Sequence, residues 1–303
     1  MISLLSRTLL MSTPLLLGAI AEVFAERAGV MNTAIEGVFL VGAMGGFVGA
    51  YLSGNLAIGL LMAILSGIAV AAFYGWITVY LKQHQIVTGT AISILAAGLC
   101  SYFMRVFFGT PIIPLTVEPL KVIPLPVLSR IPALGPIFFT QNILTYLMYI
   151  IVPLAWFVLY RTSLGLTIRS AGENPEAVDV AGIKVDRIRF AMVVLSGAMG
   201  GIAGAFYSIG YLGMFTTNII GGRGWIAFAI CFLGNWNPLG VLAGTLVFGL
   251  AEAIAIYMQS SGSMLFPNEF FIALPYILTI VLTISRRSFN VPAKLGIPYK
   301  KEN

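Results

Sequence analysis

The chain has 303 residues, 59% of them hydrophobic and only 9% charged, with a net charge of +6 and a mean hydropathy of +0.97. Soluble domains carry about 25% charged residues, so a soluble fold is excluded and the chain reads as an integral membrane protein. A single histidine, His84, and two cysteines inside apolar runs, Cys100 and Cys231, argue against a disulfide framework, a histidine-based metal site or a Ser/His/Asp triad.

A backbone in lipid must satisfy its own hydrogen bonds. The apolar runs here are long and continuous, so they read as helices and not as barrel strands. The first run, 4–21, has Arg7 near its start and imitates a secretory signal peptide, with a cleavage-like sequence at 21–25; the many spans that follow favour a retained span. A polar, interrupted stretch follows at 22–36. Further runs are predicted at 33–52, 55–81 and 86–108. Residues 109–140 hold seven prolines, from Pro111 to Pro136, and read as an irregular connection. A run at 141–160 leads to a polar island at 170–183. The later runs are 188–213, 225–236, 239–260 and 270–285. The count is about nine spans, within eight to ten; the run at 225–236 is too short to cross unless the turn at 235–238 lies within the membrane.

The island has a readable grammar. Asn174 is placed to cap a helix, Pro175 to take its first position, Glu176 to sit in the first turn where the dipole favours negative charge, and Gly182 to end it in a left-handed cap. A helix of about two turns is marginal alone in water, so a neighbour is expected to hold it. Arg161, Arg169, Lys184, Arg187 and Arg189 flank the island, and Arg286, Arg287, Lys294, Lys300 and Lys301 follow the last span. The positive-inside rule places both groups in the cytoplasm, as the loop 161–187 and a basic tail 286–303 of one domain over 1–303. The same walk leaves the proline-rich segment and Met1 outside. The basic excess belongs to these loops, and no nucleic-acid patch is found in it.

A faint internal repeat relates the stretch from Gly37 to Gly59 to the stretch from Gly224 to Gly240, with the two copies entering the membrane from opposite sides. The expected architecture is therefore all-α and polytopic, with two inverted repeats and broken helices. Glycine and polar residues interrupt the helices around Asn32 and Glu36 and again over 218–224. Glu22, Glu36 and Glu252 lie within spans and Arg105 and Arg223 near span ends; such charges either line an aqueous path or bond neighbouring helices, and both readings stand. Glycines at 42–46 and 197–204 suit close helix packing. No Gly-x-x-x-x-Gly-Lys-Ser/Thr sequence occurs, so any ATP hydrolysis belongs to another chain.

These residues resemble a known family. Gly172-Glu-Asn-Pro-Glu-Ala, with Glu173, Asn174, Pro175, Glu176 and Ala177, followed by Ala181-Gly182-Ile183 and preceded by Leu164-Gly165 and Arg169, looks like the coupling loop of bacterial ABC importer permeases, in the branch handling branched-chain amino acids, simple sugars and nucleosides. Glu26-Arg-x-Gly-x-x-Asn32 with Glu36-Gly37 resembles the first-half signature of the nucleoside and simple-sugar members; Gly224-Trp225-Ile-Ala and Trp236-Asn-Pro-Leu-Gly240 resemble the second. The likeness covers residues 10 to 285, and the chain looks like the smaller of two paired permeases.

The resemblance implies an importer in the bacterial cytoplasmic membrane. Two permeases (a larger partner or a second copy) form the path, cytoplasmic ATPases drive it using ATP and magnesium, and an extracytoplasmic binding protein or lipoprotein delivers substrate. This chain then holds no cofactor and no catalytic residue. The coupling helix docks on the ATPase, and the path runs near Asn32, Glu36, Asn218 and Trp225. A nucleoside is the leading substrate, a simple sugar the second and a branched-chain amino acid a distant third. An ion-coupled secondary transporter and an intramembrane enzyme are the competing classes, and few buried carboxylates and one loop histidine disfavour both.

Overall fold

Every apolar run becomes a helix in the computed structural model, which describes residues 1–109, 113–260, 268–285 and 289–300. The runs correspond to α1 (Ile2–Arg27), α2 (Ile35–Ser53), α3 (Leu56–Gly75) and α4 (Gln85–Phe108). After a short α5 (Leu134–Phe138) comes α6 (Ile143–Arg161), then α7 (Ser163–Glu173) and α8 (Pro175–Val180). The series ends with α9 (Val185–Ala205), α10 (Arg223–Leu233), α11 (Pro238–Ser260) and α12 (Asn268–Ser285). Wider π turns extend α3 over Trp76–Tyr80 and α9 over Phe206–Leu212. Seven of the described helices are long and apolar enough to cross a membrane; α10 and the apolar part of α12, Ala273–Ile284, are shorter. Seven long and two short helices account for the nine runs.

α1 is the axis of the bundle. Its apolar window is 94% buried, and it packs against α9, α10 and α11. Removing it as a leader would take out the core. Hydroxyls pin it: Thr13 meets Thr145 of α6 at 2.9 Å, and Ser12 donates to the Thr245 carbonyl of α11 at 3.2 Å. A second unit is the tight group of α2, α3 and α9. A Cβ added at Gly42 would lie 2.5 Å from the Gly201 Cα, and one at Gly67 would lie 2.8 Å from it. Only glycine lets three backbones converge this closely, which is how small residues replace a hydrophobic driving force in lipid.

The proline-rich connection holds α5 and one two-residue pairing, β1 (Ile123–Pro124) antiparallel to β2 (Thr140–Gln141). It is tied to the end of α9 by Val117 N–H donating to the Gly213 carbonyl at 2.7 Å and Leu120 N–H to Ile209 at 2.9 Å. At the opposite end of the bundle lie the close of α1, the island, the α10–α11 turn and the segment 289–300, all in mutual contact. The loop and tail that the charge pattern places together are thus at one end; Arg286, Arg287 and Lys301 of that tail, like Pro111 of the connection, lie outside the described residues.

The turn at 235–238 sits at the end of the bundle, bonded to Arg27, and the non-helical residues 213–222 run ahead of the short α10. The island is more helical than its polarity suggests: α7 precedes α8 directly, because Gly165, Ile168, Ala171 and Gly172 form a buried face.

Candidate functional site

Both predicted helix interruptions are present, and they meet. The chain is non-helical over 28–34 between α1 and α2, and over 213–222 before α10. The Glu36 carboxylate, at the start of α2, accepts from the backbone N–H of Gly222 and of Gly224, each at 2.8 Å. A helix start carries unpaired N–H groups and the positive end of its dipole. Glu36 supplies a cap to α10 from another helix, as close packing at Gly224, where a Cβ would lie 2.6 Å from the Glu36 Cα, requires. The hairpins α2–α3 and α10–α11 run in opposite directions, and each second helix starts on an asparagine that caps two residues ahead: Asn55 to Ala57 N–H at 2.8 Å and Asn237 to Leu239 N–H at 3.0 Å.

Around this junction lies a polar cluster. Arg223 donates through Nε to Glu252 Oε1 at 2.7 Å, with Nη2 also 2.7 Å from that oxygen, and through Nη1 to the Ile220 carbonyl at 3.0 Å. Its guanidinium stacks over Tyr207 at 5.1 Å. Tyr276 donates to the Gly221 carbonyl at 2.6 Å. A cavity of about 370 Å³ opens beside the pair, lined by Asn218, Arg223, Glu252, Gln259 and Tyr276 among others. Of the four residues predicted for a path, Asn218 lines this cavity, Glu36 lies behind it, Trp225 is 38% exposed two positions past the α10 start, and Asn32 is fully buried, donating to Ser196 at 2.9 Å.

The second locus is the island. Asn174 caps α8 through Ala177 N–H at 3.1 Å, with Pro175 in the first turn, and Gly182 is left-handed with φ +81°. Pro175 and Val178 face inward, while Glu176, Ala177, Val180, Ala181 and Ile183 are exposed, Val180 at 90%. The holding neighbour is the chain itself. Lys294 N–H donates to the Gly172 carbonyl at 2.8 Å, Ala293 N–H to Glu173 at 3.1 Å, and Lys294 Nζ lies 3.7 Å from Glu176. Arg189, counted above as a loop cation, is 2% exposed; it clamps the Ala171 carbonyl at 3.1 Å and the Ile297 carbonyl at 2.8 Å. Arg27 joins this knot to the α10–α11 turn, donating to the Trp236 carbonyl at 3.0 Å and lying 3.8 Å from Glu173. Asn235 and Trp236 both have positive φ there. Left-handed residues of this kind cost of order 1–3 kcal/mol each, and the Arg27 clamp together with a Trp236 Nε1 bond to the Glu26 carboxylate holds them.

A model of the branched-chain amino acid transport system permease component matches residues 4–283. The chain belongs to this permease family. It is a transport subunit and not an enzyme. The nucleoside ABC transporter permease protein NupC of Lactococcus lactis is 36% identical over 98% of this chain and 96% of its own length. The guanosine ABC transporter permease protein NupQ of Bacillus subtilis is 35% identical over 97% and 95%. The putative glucose ABC transporter permease protein TsgC13 of Haloferax volcanii is 36% identical over 88% and 80%.

The sequence of this permease pointed to Glu36, Arg223 and Glu252 as costly intramembrane charges, and the structure pairs all three across helices. It did not point to Tyr207, Tyr276 or Gln259, because an aromatic or amide in an apolar run carries no periodic signal. Nor did it point to the clasp of Arg189 on residues 289–300, whose partners are 18 and 108 positions away.

Proposed function

We propose that this permease carries nucleosides, as the smaller of two paired permeases driven by separate ATPase subunits and fed by an extracytoplasmic binding protein. The observation carrying the reading is the likeness to nucleoside permeases of two genera over nearly the whole chain. The basic loop 161–187 and the tail face the cytoplasm in this reading, by the positive-inside rule. The exposed apolar residues of α8 and the turn after it, Ala177, Val180, Ala181 and Ile183, are the docking face for an ATPase, and Gly172, Glu173 and Gly182 shape its frame. ATP binding then biases a two-state bundle through that contact. Asn32, Glu36, Asn218 and Trp225 stand at or behind the path at the meeting of the broken helices.

The test is uptake of radiolabelled nucleosides, ribose and glucose into vesicles with and without this subunit, its partners and ATP supplied. Loss of nucleoside uptake alone is expected. A simple-sugar reading has the support of the glucose permease at equal identity, and loss of glucose or ribose uptake instead would establish it. Uptake that persists with ATP depleted and collapses with an ionophore would sink the ATP-driven reading.

A further inference from the structure

We propose that the cavity beside Arg223 and Glu252 is a recognition site for a neutral solute bearing a vicinal diol, such as the ribose of a nucleoside. This rests on the substrate reading above and assigns it a place. The observations are geometric. An ion pair within a membrane span is costly to keep unless fully enclosed or functional. Here the pair is not enclosed: the Arg223 side chain is 31% exposed and lines the cavity with Glu252. Both arginine contacts fall on Oε1, so Arg223 leaves the lone pairs of Oε2 to other donors, and a ligand hydroxyl in the cavity is one. Guanidinium and carboxylate side by side offer donors and acceptors at the spacing of adjacent hydroxyls, as charge-assisted hydrogen bonds.

The walls fit the rest of such a solute. Asn218 and Gln259 supply amides that both donate and accept, and Tyr276 supplies an aromatic ring beside them. Its volume of about 370 Å³ lies in the range of small-molecule sites. The charge balance sets the ligand class. The α10 start, which would otherwise attract an anion, already holds the Glu36 carboxylate on Gly222 and Gly224, and Arg223 is matched by Glu252. Among the described residues that line the cavity no second cation stands ready to neutralise a phosphate, so the site suits a nucleoside and not a nucleotide. By contrast, the cavity among α2, α3 and α4, about 270 Å³, is lined by apolar side chains such as Val41, Phe73 and Leu99 and offers a polyol nothing.

The experiment uses the complete importer in proteoliposomes with ATP inside or outside as its orientation requires. Uptake of uridine, 2′,3′-dideoxyuridine and glucose is measured. The wild type is expected to discriminate against the dideoxy analogue, because a site built around hydroxyls is left unpaired without them. Glu252→Gln should raise KM for uridine by roughly ten- to a hundredfold, the worth of one charged hydrogen bond, and erase that discrimination. The double variant R223E/E252R separates binding from structure: a purely structural pair would recover wild-type KM, whereas a ligand-contacting pair recovers the amount in the membrane with KM still raised. If the pair variants fail to reach the membrane, Gln259→Leu carries the same test. An unchanged KM in Glu252→Gln or Gln259→Leu, or wild-type KM in the swap, overturns the site while leaving nucleoside transport intact. Transport of glucose but not uridine overturns the nucleoside reading alone, and the site is then judged on glucose against 2-deoxyglucose. Transport of neither overturns both.

Discussion

Arg189 and Arg223 show two uses of one side chain. Arg189 sits at the α8 end with both its contacts on backbone carbonyls and almost no exposure. Arg223 sits at the helix junction, bonded to a carboxylate and open to a cavity. A guanidinium presents five donors in a fixed fork. Where backbone carbonyls from two distant segments take them and water is shut out, the group is a fastener. Where a carboxylate and a nearby carbonyl take some and a cavity borders the others, as at Arg223, the group is available to a solute. Type and charge do not distinguish the cases; the surroundings do.

Breaking the fastener should have the largest effect. Arg189→Leu leaves the Ala171 and Ile297 carbonyls without this donor, each at about 1–3 kcal/mol, so a loss of about 2–6 kcal/mol is expected. The melting temperature of purified protein should fall by many degrees; an unchanged one would mean that the knot at this end does not depend on its clamp. Trp236→Phe comes next. It keeps the ring but deprives the buried Glu26 of the indole donor, at about 1–3 kcal/mol, read by the same melt.

Val180→Asp sharpens the comparison from the other side. Val180 is 90% exposed, so stability should stay within about 0.5 kcal/mol, while co-purification of the ATPase falls and uptake is lost. Retained co-purification would remove α8 as the docking face. Lys294→Ala should do least. Its pair with Glu176 is 3.7 Å long and exposed on both sides, and such pairs contribute at most about 1 kcal/mol. The backbone bond from Lys294 to Gly172 survives the change, so the melt should hardly move; a large drop would show that the side chain, and not the strap's backbone, holds α8.

The legible part of this protein is the part with local causes. Long apolar runs gave the helices, and polar and glycine-rich breaks at Asn32 and Asn218 gave the interruptions, since both are consequences of backbone satisfaction in lipid. The Asn174-Pro175 start of α8 was legible for the same reason. Hidden were the pairings that depend on the far side of the chain. A basic residue next to a span reads as a topological flank, and nothing adjacent to Arg189 shows that residues 289–300 will cover it. The expected neighbour for α8 was another protein, and an internal strap is present as well.

That strap has a consequence for synthesis. The Glu173 carboxylate waits for Ala293, 120 positions later in the chain. While the ribosome is still making the last spans, α7 and α8 are already out but lack the clamp and the backbone bonds that fix them. A half-made permease therefore carries α8 on an unfinished frame, complete only once residues 293–297 have been added.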